Sequence, residues 1–170
     1  MRVRLDPALP GDAPALAKLR TAVADRLTRD FGSGHWSSPV TEAAQARALE
    51  RPGVFVARLH GRIVATLRLA TKKPWAIDPA YFTNVPQPLY LTDMAVAPDF
   101  QRRGIGRACM EEATRLARQW PADAIRLDAY DASAGAGPFY AKCGLREMGR
   151  VVYRRNPLIY FELVLSRESR

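Results

Sequence analysis

Between Gln101 and Gly106 the chain reads Gln-Arg-Arg-Gly-Ile-Gly, shortly after Met-Ala-Val-Ala-Pro at 94–98. Residues of these types, at the entry to a helix, make an anion site. The first N–H groups of a helix have no intrahelical partner, and the macrodipole places partial positive charge at that end. Gly104 and Gly106 remove side chains, so a phosphate can approach the backbone closely. Arg102, Arg103 and Arg107 add full charges around the same turn. A dinucleotide fingerprint would place a third glycine where Cys109 stands, and a Walker-type loop requires Gly-Lys-Ser or Gly-Lys-Thr. Neither is present. The bland alternative is a tight strand-to-helix turn whose glycines serve geometry alone.

The stretch 94–106 resembles the acyl-CoA-binding motif of the GNAT superfamily of N-acyltransferases, whose pattern is Gln/Arg-x-x-Gly-x-Gly/Ala. The resemblance implies that N–H groups of Arg102, Arg103, Gly104, Ile105, Gly106 and Arg107 bind the diphosphate of acetyl-CoA. It also implies that the backbone of Met94, Ala95 and Val96 pairs with the pantetheine arm like an added strand, amide against amide. A second segment agrees: Leu127-Asp128-Ala129-Tyr130, then Gly137-Pro138-Phe139-Tyr140-Ala141-Lys142-Cys143-Gly144-Leu145, is similar to the family's late strand and following helix. The similarity covers most of the chain from about Val54 onward. In two places the sequence departs from the pattern. Ser133 stands where an asparagine often precedes the tyrosine by seven positions, leaving a shorter polar contact to the cofactor, and Thr92 replaces a frequent acidic residue.

Acyl transfer from a thioester to an amine needs a neutral amine, a polarised carbonyl and a proton for the departing thiolate. The family position makes Tyr140 the general acid, against the alternative of a packing aromatic. A backbone N–H of residues 94–96 can polarise the carbonyl. For the base, Asp93, Asp128, Tyr90 and a water relay stay open; a regular strand would turn Asp93 away from Tyr90 and Thr92, and a bulge would change that. The resemblance implies no metal. Homodimers are common in the family.

These residues need elements to hold them. Residues 3–5 read as a strand, and Asp12 as the N-cap of a helix with Pro14 in its first turn and Leu16, Leu19, Val23 and Leu27 at helical spacing. Residues 31–39 form a loop, and Thr41 caps a second helix ending near Pro52-Gly53. Strands follow at 54–59 and 62–69, joined by His60-Gly61 in a two-residue hairpin turn. The segment 71–88, with Pro74, Pro79, Pro86 and Pro88, is a long loop and a candidate wall of a substrate site, where Trp75 and Tyr81 would stand. A strand at 89–96 leads to a helix with Ile105, Cys109, Ala113, Leu116 and Trp120 on one face, closed by Pro121. Then come a strand at 125–130, the short helix with Phe139 and Tyr140, and strands at 145–153 and 158–165 around a turn at 154–157. This order, β-α-α-β-β-β-α-β-α-β-β, is that of one α/β domain over residues 1–170 with a central mixed sheet. The family resemblance makes the sheet mostly antiparallel, twisted and flanked by helices.

At 170 residues the chain can bury a real core, and 48% hydrophobic with 25% charged residues excludes a disordered tail. No apolar run approaches the roughly 20 residues of a membrane span, and the first ten residues lack a signal-peptide core, so cytoplasm is expected. Cys109 and Cys143 read as small core residues rather than ligands or a disulfide framework. The net charge of +9 comes mainly from scattered arginines, with no run of five and no nucleic-acid fold signature. The expected function is therefore an acetyl-CoA-dependent N-acetyltransferase acting on an amine of a small molecule or protein. A non-catalytic acyl-CoA sensor is the alternative, and a salt-sensitive nucleic-acid binder the third.

Overall fold

Residues 3–166 are described by a computed structural model. Eleven main elements follow in the expected order: β1 (Leu5–Pro7), α1 (Ala13–Phe31), α2 (Glu42–Leu49), β2 (Val54–Leu59), β3 (Arg62–Ala70), β4 (Pro88–Val96), α3 (Ile105–Gln119), β5 (Ala124–Tyr130), α4 (Gly137–Lys142), β6 (Arg146–Tyr153) and β7 (Asn156–Val164). The strands form one mixed seven-stranded sheet in the order β1-β2-β3-β4-β5-β7-β6. The β1–β2, β2–β3, β5–β7 and β6–β7 pairs are antiparallel, and β4–β5 is parallel. A parallel pair needs a long crossover, and α3 supplies it. The parallel register runs from Pro88↔Ala124 to Tyr90↔Arg126.

The chain clusters into two compact units: Met1–Arg68 with Asp93–Glu112, and Leu69–Thr92 with Ala113–Arg170. In the first, the apolar stripe of α1 packs Leu16 and Leu19 against Val56, Ile63, Ala95 and Ala97, with Val23, Leu49 and Phe100 partly buried beside them. Each fully buried leucine of this kind contributes about 1.5–3 kcal/mol. The β2–β3 hairpin closes through His60 (φ 49°) and Gly61 (φ 78°), both left-handed as a two-residue turn of this hand requires. Thr41 caps α2, its hydroxyl accepting from the Ala44 N–H at 3.1 Å.

Three local expectations are corrected. Asp12 precedes α1, but its carboxylate does not cap it; it accepts from the Leu9 N–H at 2.8 Å, and its Oδ1 and Oδ2 both accept from Arg58 Nη2, at 2.8 and 2.7 Å. The arginine offered a charged partner that the helix end could not match. The first strand lies two residues later than expected, where Leu5 pairs with Ala57. On α3 the inward residues are Ile105, Cys109, Met110, Ala113 and Ala117, while Trp120 lies past the helix end with 47% of its surface exposed.

The second unit is held by polar groups that an apolar pattern does not reveal. Arg126 of β5 and Glu162 of β7 sit opposite one another in the register, both buried, with Nε–Oε2 at 2.9 Å. The other Glu162 oxygen accepts from the Thr83 N–H at 3.1 Å, Arg126 Nη2 donates to the Thr83 carbonyl, and the guanidinium lies 5.0 Å from the Phe82 ring centroid. One residue layer away, the Tyr160 hydroxyl accepts from the Asp78 N–H at 3.2 Å and donates to the Ala76 carbonyl. The long segment before β4 is thus pinned to β5 and β7 rather than loose, with Ile77 and Phe82 buried in it. The closing hairpin also differs: its turn is Arg154-Arg155 alone, at φ 46° and 70°, and Asn156 and Pro157 already pair with Tyr153 and Val152. Proline is tolerated there because it stands near the start of its strand.

Replacing Arg126 by Met leaves the Glu162 carboxylate buried without its cation, and breaking one half of such a pair costs about 3–5 kcal/mol. In urea unfolding, the double variant Arg126→Met/Glu162→Leu, with neither charge, recovers most of that loss. A double variant no more stable than the single would show that the pair acts through something other than charge.

Candidate active site

In the first unit, residues 93–112 carry the end of β4, the turn and the first part of α3 as one continuous piece of chain. Asp93 has φ 55°, a left-handed conformation that non-glycine residues seldom adopt and hardly ever inside a strand. It stands inside β4, and the carboxylate-bearing residue is exposed. Its carbonyl accepts from Arg20 Nη2 of α1 at 2.7 Å. Burial pulls the Arg20 pKa below its ordinary value, and the Asp93 carboxylate opposes that pull. After Asp93, Ala95 and Ala97 are buried while Met94 and Val96 are half-buried. The Ala97 N–H then rejoins β3 by donating to the Val64 carbonyl at 2.8 Å.

A turn of 3-10 helix, Pro98–Phe100, carries the chain to the start of α3. The Gln101 side-chain amide donates back to the Val96 carbonyl at 3.0 Å and ties the turn to the strand. Arg102 (φ 58°) and Gly104 (φ 81°) are both left-handed. The Ala108 N–H donates to the Gly104 carbonyl at 3.0 Å, so helical bonding begins there, and the N–H groups of residues 104–107 are those that the helix itself leaves unclaimed. A Cβ placed on Gly104 would meet no atom within 4 Å. Open space beside backbone donors at a helix N-terminus fits a diphosphate in chemistry and in room. Ile105 is buried, so it offers its N–H and anchors the helix start; Gly106 lies in the first turn. The arginines are partly committed: Arg103 stacks on Phe100 at 5.7 Å, as does Arg62 at 5.2 Å, and Arg107 lies 3.6 Å from Glu111.

The second unit carries the other predicted residues. Tyr140 is buried on α4, edge-on to Phe139 with ring centroids 5.2 Å apart. Burial, and then the nearby Asp128 carboxylate and Cys143, push its phenol well above the ordinary tyrosine range. Helix α4 is only six residues and ends where the Leu145 N–H reaches back to the Tyr140 carbonyl at 3.2 Å, past left-handed Gly144. Ser133 is exposed in the loop before α4. In that loop a Cβ on Gly135 would stand 1.7 Å from the Tyr130 carbonyl oxygen, so only glycine fits. Trp75 and Tyr81, expected to wall a pocket, line one cavity of about 630 Å³ with Lys73, Asp78, Tyr153 and Tyr160.

Sequence reasoning missed Arg20, although a signal existed. It stands at i+4 from Leu16 and three residues before Val23, on the inward stripe of α1, where a cation needs a partner. Gln101 was read as part of the motif, but its bond to Val96 was not foreseen.

A family model, Acetyltransferase (GNAT) family, matches residues 20–145. The chain belongs to this family of acetyltransferases, whose cosubstrate is acetyl-CoA. No curated protein sequence matches it significantly. Among solved structures it is similar to a GNAT-family acetyltransferase from Streptococcus agalactiae, with TM-score 0.77, 12% identity and 96% of each chain covered. The ribosomal-protein-S18-alanine N-acetyltransferase from Escherichia coli has TM-score 0.69 and 19% identity, over 98% of this chain and 96% of that one. The ribosomal-protein-alanine N-acetyltransferase from Brucella melitensis has TM-score 0.71 and 19% identity, over 95% and 99%. At these identities the likeness is one of fold.

The two constrained glycines separate conformational strain from collision. Gly104→Ala forces an L-residue to stay left-handed, at about 1–2 kcal/mol. Gly135→Ala must also move backbone, because its methyl would overlap the Tyr130 carbonyl. Thermal unfolding lowers Tm in both, more for Gly135→Ala; an equal or smaller drop there would contradict the loop geometry.

Proposed function

We propose that the whole chain acts as one N-acetyltransferase domain that moves the acetyl group of acetyl-CoA directly onto a primary amine of a small molecule or a protein. What carries this reading is the left-handed residue Asp93 near the end of β4 leading, within one compact unit, into an arginine-flanked turn at the N-terminus of α3. The N–H groups of residues 102–107 hold the diphosphate, with Arg102, Arg103 and Arg107 supplying charge. The backbone of Met94, Ala95 and Val96 takes the pantetheine amides, and an N–H on the same stretch polarises the thioester carbonyl. Ser133 adds a polar contact to the cosubstrate. The amine nitrogen bonds to the carbonyl carbon, the C–S bond breaks, and two proton movements complete the exchange. Asp93 accepts the proton the amine loses; Tyr140 donates toward the sulfur. Both cysteines are unbridged, in keeping with a cytoplasmic enzyme. The names of the two ribosomal-protein neighbours describe those proteins; at 19% identity they do not carry the acceptor across.

The test is calorimetric binding of acetyl-CoA, followed by transfer of labelled acetyl to a panel of amines. Binding with transfer supports the reading. Binding without transfer to any acceptor makes the protein an acyl-CoA sensor, and steeply salt-dependent binding to DNA or RNA with indifference to CoA sinks both.

Removing the phenol in Tyr140→Phe lowers kcat by about 10²–10⁴-fold. Because burial and Asp128 raise the Tyr140 pKa, the phenol keeps its proton through the pH at which an ordinary tyrosine, near 10, loses it. The wild-type rate therefore shows no alkaline decline attributable to the phenol up to about pH 10. A decline seen in wild type and abolished in Tyr140→Phe would contradict this.

A further inference from the structure

Arg20 is a half-buried cation on a helix whose neighbouring positions, Leu16 and Leu19, are among the most buried in the first unit. A charge withdrawn from water must be compensated by hydrogen bonds. One of these runs from Nη2 to a carbonyl 73 residues away, that of Asp93, and at 2.7 Å it has the length of a charge-assisted bond. The acceptor belongs to the residue whose backbone is left-handed. Outside glycine such a conformation persists only when its surroundings over-determine it. The next three residues are those assigned to the acyl carbonyl and the pantetheine arm.

We propose that Arg20 is a positioning residue for acetyl transfer: by gripping the Asp93 carbonyl it fixes the left-handed backbone of that residue in β4, and thereby the direction of the N–H groups at Met94, Ala95 and Val96. This rests on the acetyltransferase reading and adds to it a residue outside the motif. Arg20 touches neither acetyl donor nor acceptor in this role; it acts through the strand. Its effect belongs to the polarised carbonyl more than to the diphosphate grip, because residues 102–107 are held by other means: Gln101 to the Val96 carbonyl, Phe100 to the Ala97 carbonyl, and the start of α3. Lysine cannot reproduce the planar fork, though it can place a cation near the same oxygen.

The experiment compares wild type with Arg20→Lys, Arg20→Gln and Arg20→Ala. The measurements are kcat, Kd for CoA by calorimetry, Tm, and the amide NMR shifts of residues 93–96 and 102–107. In Arg20→Gln and Arg20→Ala, kcat falls by about tenfold or more, as for loss of an aligned carbonyl donor. Affinity for CoA falls less than kcat, because the diphosphate grip at residues 102–107 is retained while the pantetheine contacts and the carbonyl donor on residues 94–96 are disturbed. Arg20→Lys recovers part of the rate, and added guanidinium ion at low millimolar concentration raises the rate of Arg20→Ala but not of wild type. The shifts of residues 93–96 move in Arg20→Gln while those of residues 102–107 hold. Unchanged kcat in a folded Arg20→Ala overturns the proposal. So does a fall of kcat and CoA affinity together in step with Tm, which is what simple loss of stability would give. Should wild type neither bind acetyl-CoA nor transfer acetyl, the acetyltransferase reading fails, and the NMR shifts alone judge the Arg20 grip: no movement at residues 93–96 overturns it.

Discussion

A left-handed residue inside a strand is a constraint that must be held from outside, and in the first unit the arrangement follows from how Asp93 is held. An L-residue in that conformation costs about 1–2 kcal/mol. Aspartate tolerates it better than most, because its short polar side chain can bond locally. The Arg20 bond to its carbonyl offsets the cost from one side, and the return of Ala97 to the Val64 carbonyl fixes the strand again four residues later. Between those two anchors Ala95 is buried and Met94 and Val96 are half-buried, so this short stretch is firm in its packing. The turn into α3 is held by bonds of its own. Gln101 bonds the last residue of the strand, Arg102 and Gly104 turn left-handed, and Ile105 plants α3 in the core.

The second unit uses a different device. Seventeen residues between β3 and β4 have little regular structure of their own, and a segment of that length is ordinarily expected to move. Here Thr83 is bonded on both its N–H and its carbonyl by the buried Glu162–Arg126 pair, and Tyr160 does the same for Asp78 and Ala76. A buried ion pair contributes little net stability compared with apolar residues of the same volume. Its directional demand is what matters: each of its oxygens and N–H groups has to find a partner, and the partners are main-chain groups of the long segment. The aromatic residues that face the cavity, Tyr81 and Trp75, are carried by that segment.

How legible this was in the sequence follows from the range of each interaction. Elements set by local pattern were readable, as the agreement of all eleven in order and the His60-Gly61 turn show. The Gln101–Gly106 turn was readable too, because its residue types and spacing lie within one short segment. The corrections share a cause. Asp12 was drawn from its cap by Arg58, and the first strand's limits were set by pairing with β2; both depend on partners more than forty residues away. Arg126 and Glu162 lay within runs read as strands, and nothing local says that two charges will meet inside. The Arg154-Arg155 turn was misjudged for another reason: two arginines in left-handed conformation override their own preference because the β6–β7 register demands it.

The environment of Tyr140 also limits what that residue can do in the proposed reaction. A free thiol of the cysteine type has a pKa near 8.5, and a tyrosine phenol near 10, so full proton transfer from phenol to thiolate is uphill even before burial. Burial beside Asp128 and Cys143 raises the phenol further and makes complete transfer costlier. It also guarantees that the hydroxyl carries its proton at every working pH, and a donor in low-dielectric surroundings bonds a developing negative charge more strongly than it would in water. Tyr140 is therefore better suited to bond the sulfur as the C–S bond stretches, and to give up its proton only if another group replaces it, than to act as a freely titrating acid. The short α4 serves this purpose: six residues ended by Gly144 hold the phenol in one buried orientation, as a pre-aimed donor requires.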